Sequence, residues 1–90
     1  MSILVIGGDR LGNIDKNLKD LGFEKIEHVS GRKKRHTQLS ISQQTDMVLV
    51  LTDFVGHNLC KSIKDKAKEL GVKTVFSRRA WSDIYKTIQA

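Results

Sequence analysis

Cysteine is almost absent from this chain of 90 residues, and long apolar runs are missing as well. The single thiol, Cys60, has no partner for an internal disulfide, so nothing in the cysteine content points to an oxidising compartment. The start, MSILVIGG, lacks positive charge, and its apolar run is too short for a signal peptide or a membrane span. These absences predict a cytoplasmic protein with no membrane segment.

Aromatic side chains are scarce, and acidic residues are outnumbered by basic ones. Aromatics make up 6% of the chain, which argues against a dedicated reader of single-stranded nucleic acid, because such readers stack bases on aromatic rings. Lys and Arg number 16 against 10 Asp and Glu, giving a net charge of +6. This balance favours an anionic partner such as a nucleotide, a phosphate, a haem propionate or a nucleic-acid backbone.

The length and composition predict a single globular domain over residues 1–90. The chain is 39% hydrophobic and 29% charged, as in ordinary globular proteins. A chain this short buries only about 60 to 65% of the surface of its unfolded form. Its marginal core therefore favours a homodimer.

The hydrophobic pattern alternates strands with helices. Residues 3–6 and 46–53 are continuous apolar runs, typical of strands buried on both faces; residues 25–30 alternate as an edge strand does, and residues 73–77 form a fourth strand. Helical stripes cover residues 11–21 and 58–70, each followed by a glycine, and a last helix includes Trp81, with its N-cap near residues 77–79. Residues 31–44 fit either a short helix or an ordered loop.

This order predicts an α/β protein with a four-stranded parallel sheet and helices on both faces. Right-handed crossovers favour the strand order 2-1-3-4, and ligands of such sheets bind where the chain direction reverses, at the carboxyl ends of the strands. The residues expected at that edge come from several loops: Gly7, Gly8, Asp9, Arg10, Asp53, His57, Asn58 and Arg78.

The segment GGDRLGN after the first strand has two interpretations. Glycines there let backbone N–H groups approach an anion, with the positive end of a helix behind them. However, the spacing matches neither the dinucleotide-binding fingerprint nor a P-loop, and a tight turn alone also requires glycine. Phosphate binding and a purely structural turn both remain open.

The segment TDFVGHNLC after the third strand brings a carboxylate, an imidazole and a thiol together. As a neutral imidazole, His57 could bind iron or another metal or transfer protons; as an ordinary residue it caps the helix or lies on the surface. The helix start is expected to lower the pKa of Cys60, unless Cys60 is a small core residue. Ser77, His57 and Asp53 are the residue types of a catalytic triad, but no nucleophile-elbow sequence supports one.

Basic residues flank the predicted site at two places. The run from Gly31 and Arg32 to His36 could clamp phosphates, carboxylates or nucleic acid, or form a solvated loop. Arg78 and Arg79 add a basic pair at the sheet edge, which favours a small anionic ligand. Trp81 is interpreted as a core or dimer-interface residue.

The ordered motifs GGDRLGN, HVSGR, LTDFVGHN and SRRAWS together resemble one bacterial family across essentially the whole chain. The chain is similar to small stand-alone members of the domain of unknown function 2325 family. The resemblance implies a Rossmann-like or flavodoxin-like fold. The positions that match the family pattern are Gly7, Gly8, His28, Gly31, Asp53, His57, Lys64 or Lys66, and Ser82.

The resemblance also implies a cofactor, because some relatives form dimers that bind haem and react with dioxygen. On that basis His57 is the axial or distal group, and Arg10, Arg32 and Arg78 meet the propionates. The chain has no C-x-x-C-H attachment sequence, so the haem would be noncovalent.

Three functions follow as expectations, and no catalytic residue is assigned. The first is a binding module for a small anionic ligand, a nucleotide or phosphate, at the carboxyl edge of the sheet. The second is a dimeric haem protein with dioxygen reactivity or gas sensing. The third is a nucleic-acid-binding accessory protein.

Overall fold

The computed structural model describes residues 1–8, 10–30 and 41–89. Within these ranges the chain forms four strands and three helices: β1 Ser2–Ile6, α1 Asn13–Asp20, β2 Lys25–Val29, β3 Met47–Leu51, α2 His57–Leu70, β4 Lys73–Ser77 and α3 Trp81–Gln89.

The strands form one parallel sheet in the order β2-β1-β3-β4, which confirms the predicted topology. β1 and β3 are neighbours in the middle and are buried over their last four residues, as continuous apolar runs require. β2 and β4 each contain two exposed residues among buried or half-buried ones and lie at the two edges. The order is that of the first four strands of a flavodoxin-like sheet.

Helices cover both faces of the sheet, so the fold has three layers. Alternate residues of the central strands, such as Val5 and Leu49, pack with Leu18 of α1 and Ile84 of α3. The intervening residues pack on the opposite face against the apolar side of α2, formed by Leu59, Ile63 and Ala67. The period-two pattern of β1 and β3 therefore divides the core into two clusters.

Glycine ends α2 as the sequence predicts. Gly71 has φ 71° and ψ 22°, the left-handed conformation that L-residues with side chains disfavour. Its N–H donates to the carbonyl of Lys68 at 3.2 Å, and the next N–H, from Val72, donates to Ala67 at 2.9 Å. This pair of bonds is the Schellman arrangement, which satisfies carbonyls that have no partner within the helix.

Some boundaries differ from the sequence prediction. α2 begins one residue earlier, at His57, and α1 begins at Asn13 instead of residue 11. The N-cap predicted near residues 77–79 is wrong, because α3 starts at Trp81 and the Ser77 hydroxyl donates to the Arg78 carbonyl at 2.9 Å instead. Of the ambiguous segment, residues 31–40 lie outside the described residues, and Ile41 is buried against the α2 side of the core.

None of the helices in the described ranges combines the length and apolar character that crossing a lipid bilayer requires.

Ile63 tests the core beneath α2, because it is only 1% exposed at the centre of the apolar side of that helix. Ile63→Ala should lower the free energy of unfolding by about 2 to 4 kcal/mol, through lost burial and a cavity. Leu70→Ala on the same helix is the control, since Leu70 is 42% exposed, and should change it by about 0.5 kcal/mol or less. Urea unfolding measures both, and equal effects would contradict this packing.

Candidate functional site

Three loops meet at the carboxyl edge of the sheet. They follow β1, β3 and β4, and because the strands are parallel, all three leave the same edge. The chain direction reverses between β1 and β3, since β1 is followed by a helix on one face and β3 by a helix on the other. This is the switch point at which open α/β sheets bind ligands.

The turn after β1 is built on two glycines with positive φ. Gly7 has φ 119°, and a Cβ atom there would lie 2.9 Å from the Leu51 carbonyl oxygen and 3.0 Å from Val55 Cγ2. Gly8 has φ 81°, and a Cβ there would lie 3.5 Å from the Phe54 ring. Backbone conformation and close approach to β3 thus account for Gly7 whether or not a ligand binds.

His28, on β2, holds this turn from the other side. Its Nε2 lies 3.0 Å from the Gly7 carbonyl oxygen, and the Gly7 N–H donates to the Val29 carbonyl at 2.8 Å. A carbonyl oxygen can only accept, so Nε2 of His28 carries the hydrogen. This contact of His28 could not be predicted beyond its match to the family pattern, because an alternating strand does not reveal which loop its side chains reach.

Arg79 connects all three loops. Its backbone N–H donates to Asp53 Oδ2 at 3.1 Å, and its guanidinium Nη2 donates to the Arg10 carbonyl oxygen at 2.9 Å. The same Nη2 would lie 3.6 Å from a Cβ at Gly12, the N-cap of α1. Sequence reasoning placed the Arg78-Arg79 pair at this edge, but only the fold distinguishes Arg79 as the connecting residue.

Ser77 does not act with His57 and Asp53 as a catalytic triad. Its side chain is 6% exposed, and its hydroxyl donates to the Arg78 carbonyl. The Ser77 carbonyl accepts from the Thr52 N–H at 2.9 Å and the Thr52 hydroxyl at 3.3 Å. These bonds join the ends of β3 and β4, so Ser77 serves the backbone of the edge.

A cavity of about 440 Å³ opens beside the start of α2. Its lining comes from the loop after β3, from the first turn of α2, and from β4: Thr52, Val55, His57, Cys60 and Phe76. His57 is the first residue of the helix and is exposed. An imidazole, a thiol and an aromatic ring therefore share one concave surface.

The thiol in this cavity is not activated. Burial raises the pKa of Cys60, whereas its place in the first turn of α2 had predicted a lowered one. The Sγ atom lies 3.9 Å from the Val55 carbonyl oxygen and donates to it. Burial disfavours the charged thiolate, so the prediction of a lowered pKa was wrong.

The other predicted site residues divide into two groups. Arg10, Asp53, His57, Asn58 and Arg78 are all exposed in the loops or the first turn of α2 at the carboxyl edge. Asp9, Gly31 and Arg32 lie outside the described residues. Asp53 is already engaged as the acceptor for Arg79, so one of its oxygens fixes the loop.

The helix N-termini at this edge have no side-chain caps. Gly12 precedes α1 and Gly56 precedes α2, and a glycine has no side chain with which to cap a helix; at α1 the Ile14 N–H donates to the Leu11 carbonyl at 3.0 Å. In the part of the chain that the structure describes, no three His, Cys, Asp or Glu side chains are grouped as a metal site requires. The edge thus presents backbone N–H groups and cations, the donors that anions bind.

Comparison with known families gives one match. The profile of a family described as uncharacterized protein conserved in bacteria (DUF2325) matches residues 2–90. Searches of the curated proteins and of the solved structures each returned no significant match.

Gly7→Ala should destabilise the protein more than Gly22→Ala. Both glycines have positive φ, 119° and 104°, but only at Gly7 would a Cβ overlap other atoms. We expect Gly22→Ala to cost about 1 to 2 kcal/mol from backbone strain alone, and Gly7→Ala at least about 1 kcal/mol more from overpacking. Urea unfolding measures the free energy of unfolding of both variants. Equal losses would show that the turn relaxes away from Leu51.

Proposed function

The chain belongs to the family of uncharacterized proteins conserved in bacteria whose profile it matches, and we propose that it binds a small anionic ligand, a nucleotide or another phosphate compound. The ligand's anionic group lies at the carboxyl edge between the loops after β1 and β3. Contacts come from the backbone of Gly8, because the Gly7 N–H already donates to Val29, and from the cations Arg10 and Arg78.

The observation that carries this proposal is the pairing of two uncapped helix starts at one sheet edge. The first turns of α1 and α2 have no side-chain cap among described residues. N–H groups without a partner are satisfied by water or by a ligand, and the helix dipole favours a negative one. Exposed Arg10 and Arg78 add positive charge at the same edge, in a protein of net charge +6.

Arg79 supports the same proposal from the loop after β4. Its guanidinium reaches the N-cap of α1, where the helix dipole already places partial positive charge. Only one of its five N–H groups is used in the bond to the Arg10 carbonyl. A bound phosphate would relieve the repulsion between the guanidinium and the helix start.

The first experiment is a thermal melt in increasing phosphate, at an ionic strength held constant with chloride. At ten times its Kd, phosphate should stabilise the fold by about 1.4 kcal/mol, which is a rise in Tm of roughly 6 to 11 °C. Arg10→Gln and Arg78→Gln should each reduce this rise. Lys86→Gln, which removes one charge on α3, should leave it unchanged. An unchanged Tm in millimolar phosphate and sulfate would refute the proposal.

Haem is the second candidate ligand, and the cavity beside α2 favours it. An imidazole is a common haem ligand, and Val55 and Phe76 give the cavity apolar walls, so the residues present fit the group. His57 would hold the iron, while Arg10 and Arg78 would pair with the propionates. Bound haem would supply an iron centre for dioxygen binding or redox chemistry.

We also propose that the chain forms a homodimer through α3. Tyr85 on that helix is 45% exposed, and its ring centroid lies 6.2 Å from that of half-buried Trp81. Paired aromatic rings on one helix face are typical of protein interfaces. A second copy packed on this face would add apolar burial to a small core.

Haemin titration under anaerobic conditions tests the second candidate. A Soret band that saturates at one haem per chain or per dimer is expected, together with its shift or loss in His57→Ala.

Sedimentation of the same samples gives the mass of the assembly, and Tyr85→Ser should lower it if α3 is the interface. A colourless protein would exclude haem, and a monomer at all concentrations would exclude the dimer.

A further inference from the structure

One side of α2 carries a row of three exposed lysines that begins at an exposed histidine. His57, Lys61, Lys64 and Lys68 follow one another at spacings of four, three and four residues, so they lie along one face of the helix. All four are exposed. At 1.5 Å per residue the row extends over about 16 Å.

The charge of this row is not neutralised by ion pairs in the described part of the chain. Lys19 pairs with Asp15, and Lys25 pairs with Glu27, so these ion pairs join residues outside the row. Of the acidic residues of α2, Glu69 lies away from the row, whereas Asp65 lies beside Lys61 and Lys68, at spacings of four and three residues. With three lysines and one neighbouring carboxylate, the row keeps a net positive charge.

The row begins at a cavity that contains an exposed aromatic ring. His57 is both the first member of the row and part of the cavity lining, where it is joined by Phe76 of β4. Phe76 is 36% exposed, although burial of a phenylalanine side chain is energetically favourable. Its exposure follows from its place on an edge strand, beside α2 instead of beneath it.

We propose that this surface binds single-stranded nucleic acid. The lysines of the row contact successive phosphates, and the ring of Phe76 stacks on a base that enters the cavity. Such proteins combine a positively charged track with an aromatic platform, and these are the two features that meet here. In a duplex the bases are stacked within the helix and would not reach the cavity. The lysines of the row and Phe76 are not among the contacts proposed for the small anion, although Phe76 belongs to the cavity proposed for haem.

The low aromatic content had argued against such a partner. That argument holds for the sequence around the basic run at residues 32–36, where no aromatic residue is close in the chain. It does not hold at α2, because the fold brings Phe76 to a helix that begins nineteen residues earlier. A low aromatic content is compatible with base stacking when one ring lies beside the lysines.

The charge row is tested with a labelled oligothymidylate of about 12 nucleotides, within the footprint range of known single-strand binders. In anisotropy titrations, replacing Lys61, Lys64 and Lys68 by Gln should weaken binding at least about tenfold and flatten the slope of log K against log salt by about 2. The matched control replaces Lys16, Lys19 and Lys86, which removes equal charge from α1 and α3. Equal losses in the two variants would overturn the proposal.

The aromatic platform is tested by comparing two polyanions. Phe76→Leu should weaken oligothymidylate binding about tenfold, the loss of one stacking contact, and leave inorganic polyphosphate binding unchanged. Tyr85→Leu is the control for an exposed ring elsewhere. If Phe76→Leu has no effect, or a duplex of the same length binds as tightly as the single strand, the proposal is wrong. Because the small-ligand site is tested by Tm in phosphate, the two proposals can fail independently.

Discussion

The parallel pairing of β1 with β3 is the constraint on which the rest of this protein depends. Both strands bury their side chains on both faces, so each must have helices above and below it. A parallel neighbour also requires a crossover, and the crossovers of this chain lead to α1 on one face and α2 on the other. The loops therefore meet at one edge, and the candidate site follows from the sheet.

At that edge, side chains form hydrogen bonds to backbone carbonyls of neighbouring loops. The Gly7 carbonyl is held by His28, the Arg10 carbonyl by Arg79, and the Ser77 carbonyl by Thr52. These bonds leave exposed guanidinium and imidazole groups around a fixed frame. Such an arrangement suits recognition of a charged ligand, because the loops require little ordering when it binds.

The fold could be predicted from the sequence because its signals are periodic. Continuous apolar runs marked β1 and β3, alternation marked β2, and Gly71 marked the end of α2. The site was harder, because its key contacts join side chains to backbone carbonyls of distant loops. No spacing rule indicates that Arg79 rather than Arg78 connects the loops, or that His28 reaches Gly7. The pKa of Cys60 was predicted in the wrong direction because sequence shows the helix start and not the burial.

The contact between Arg79 and Arg10 has a consequence for how the protein matures. Its two residues are 69 positions apart, and β4, which ends two residues before Arg79, must be in place before it can form. The loop after β1 therefore becomes fully ordered only after β4 has joined the sheet, since contacts between distant parts of a chain carry the largest loop-closure cost. A partly folded chain can have its central strands paired and still lack a finished edge, so the loops of the candidate site are complete only after β4 has joined the sheet.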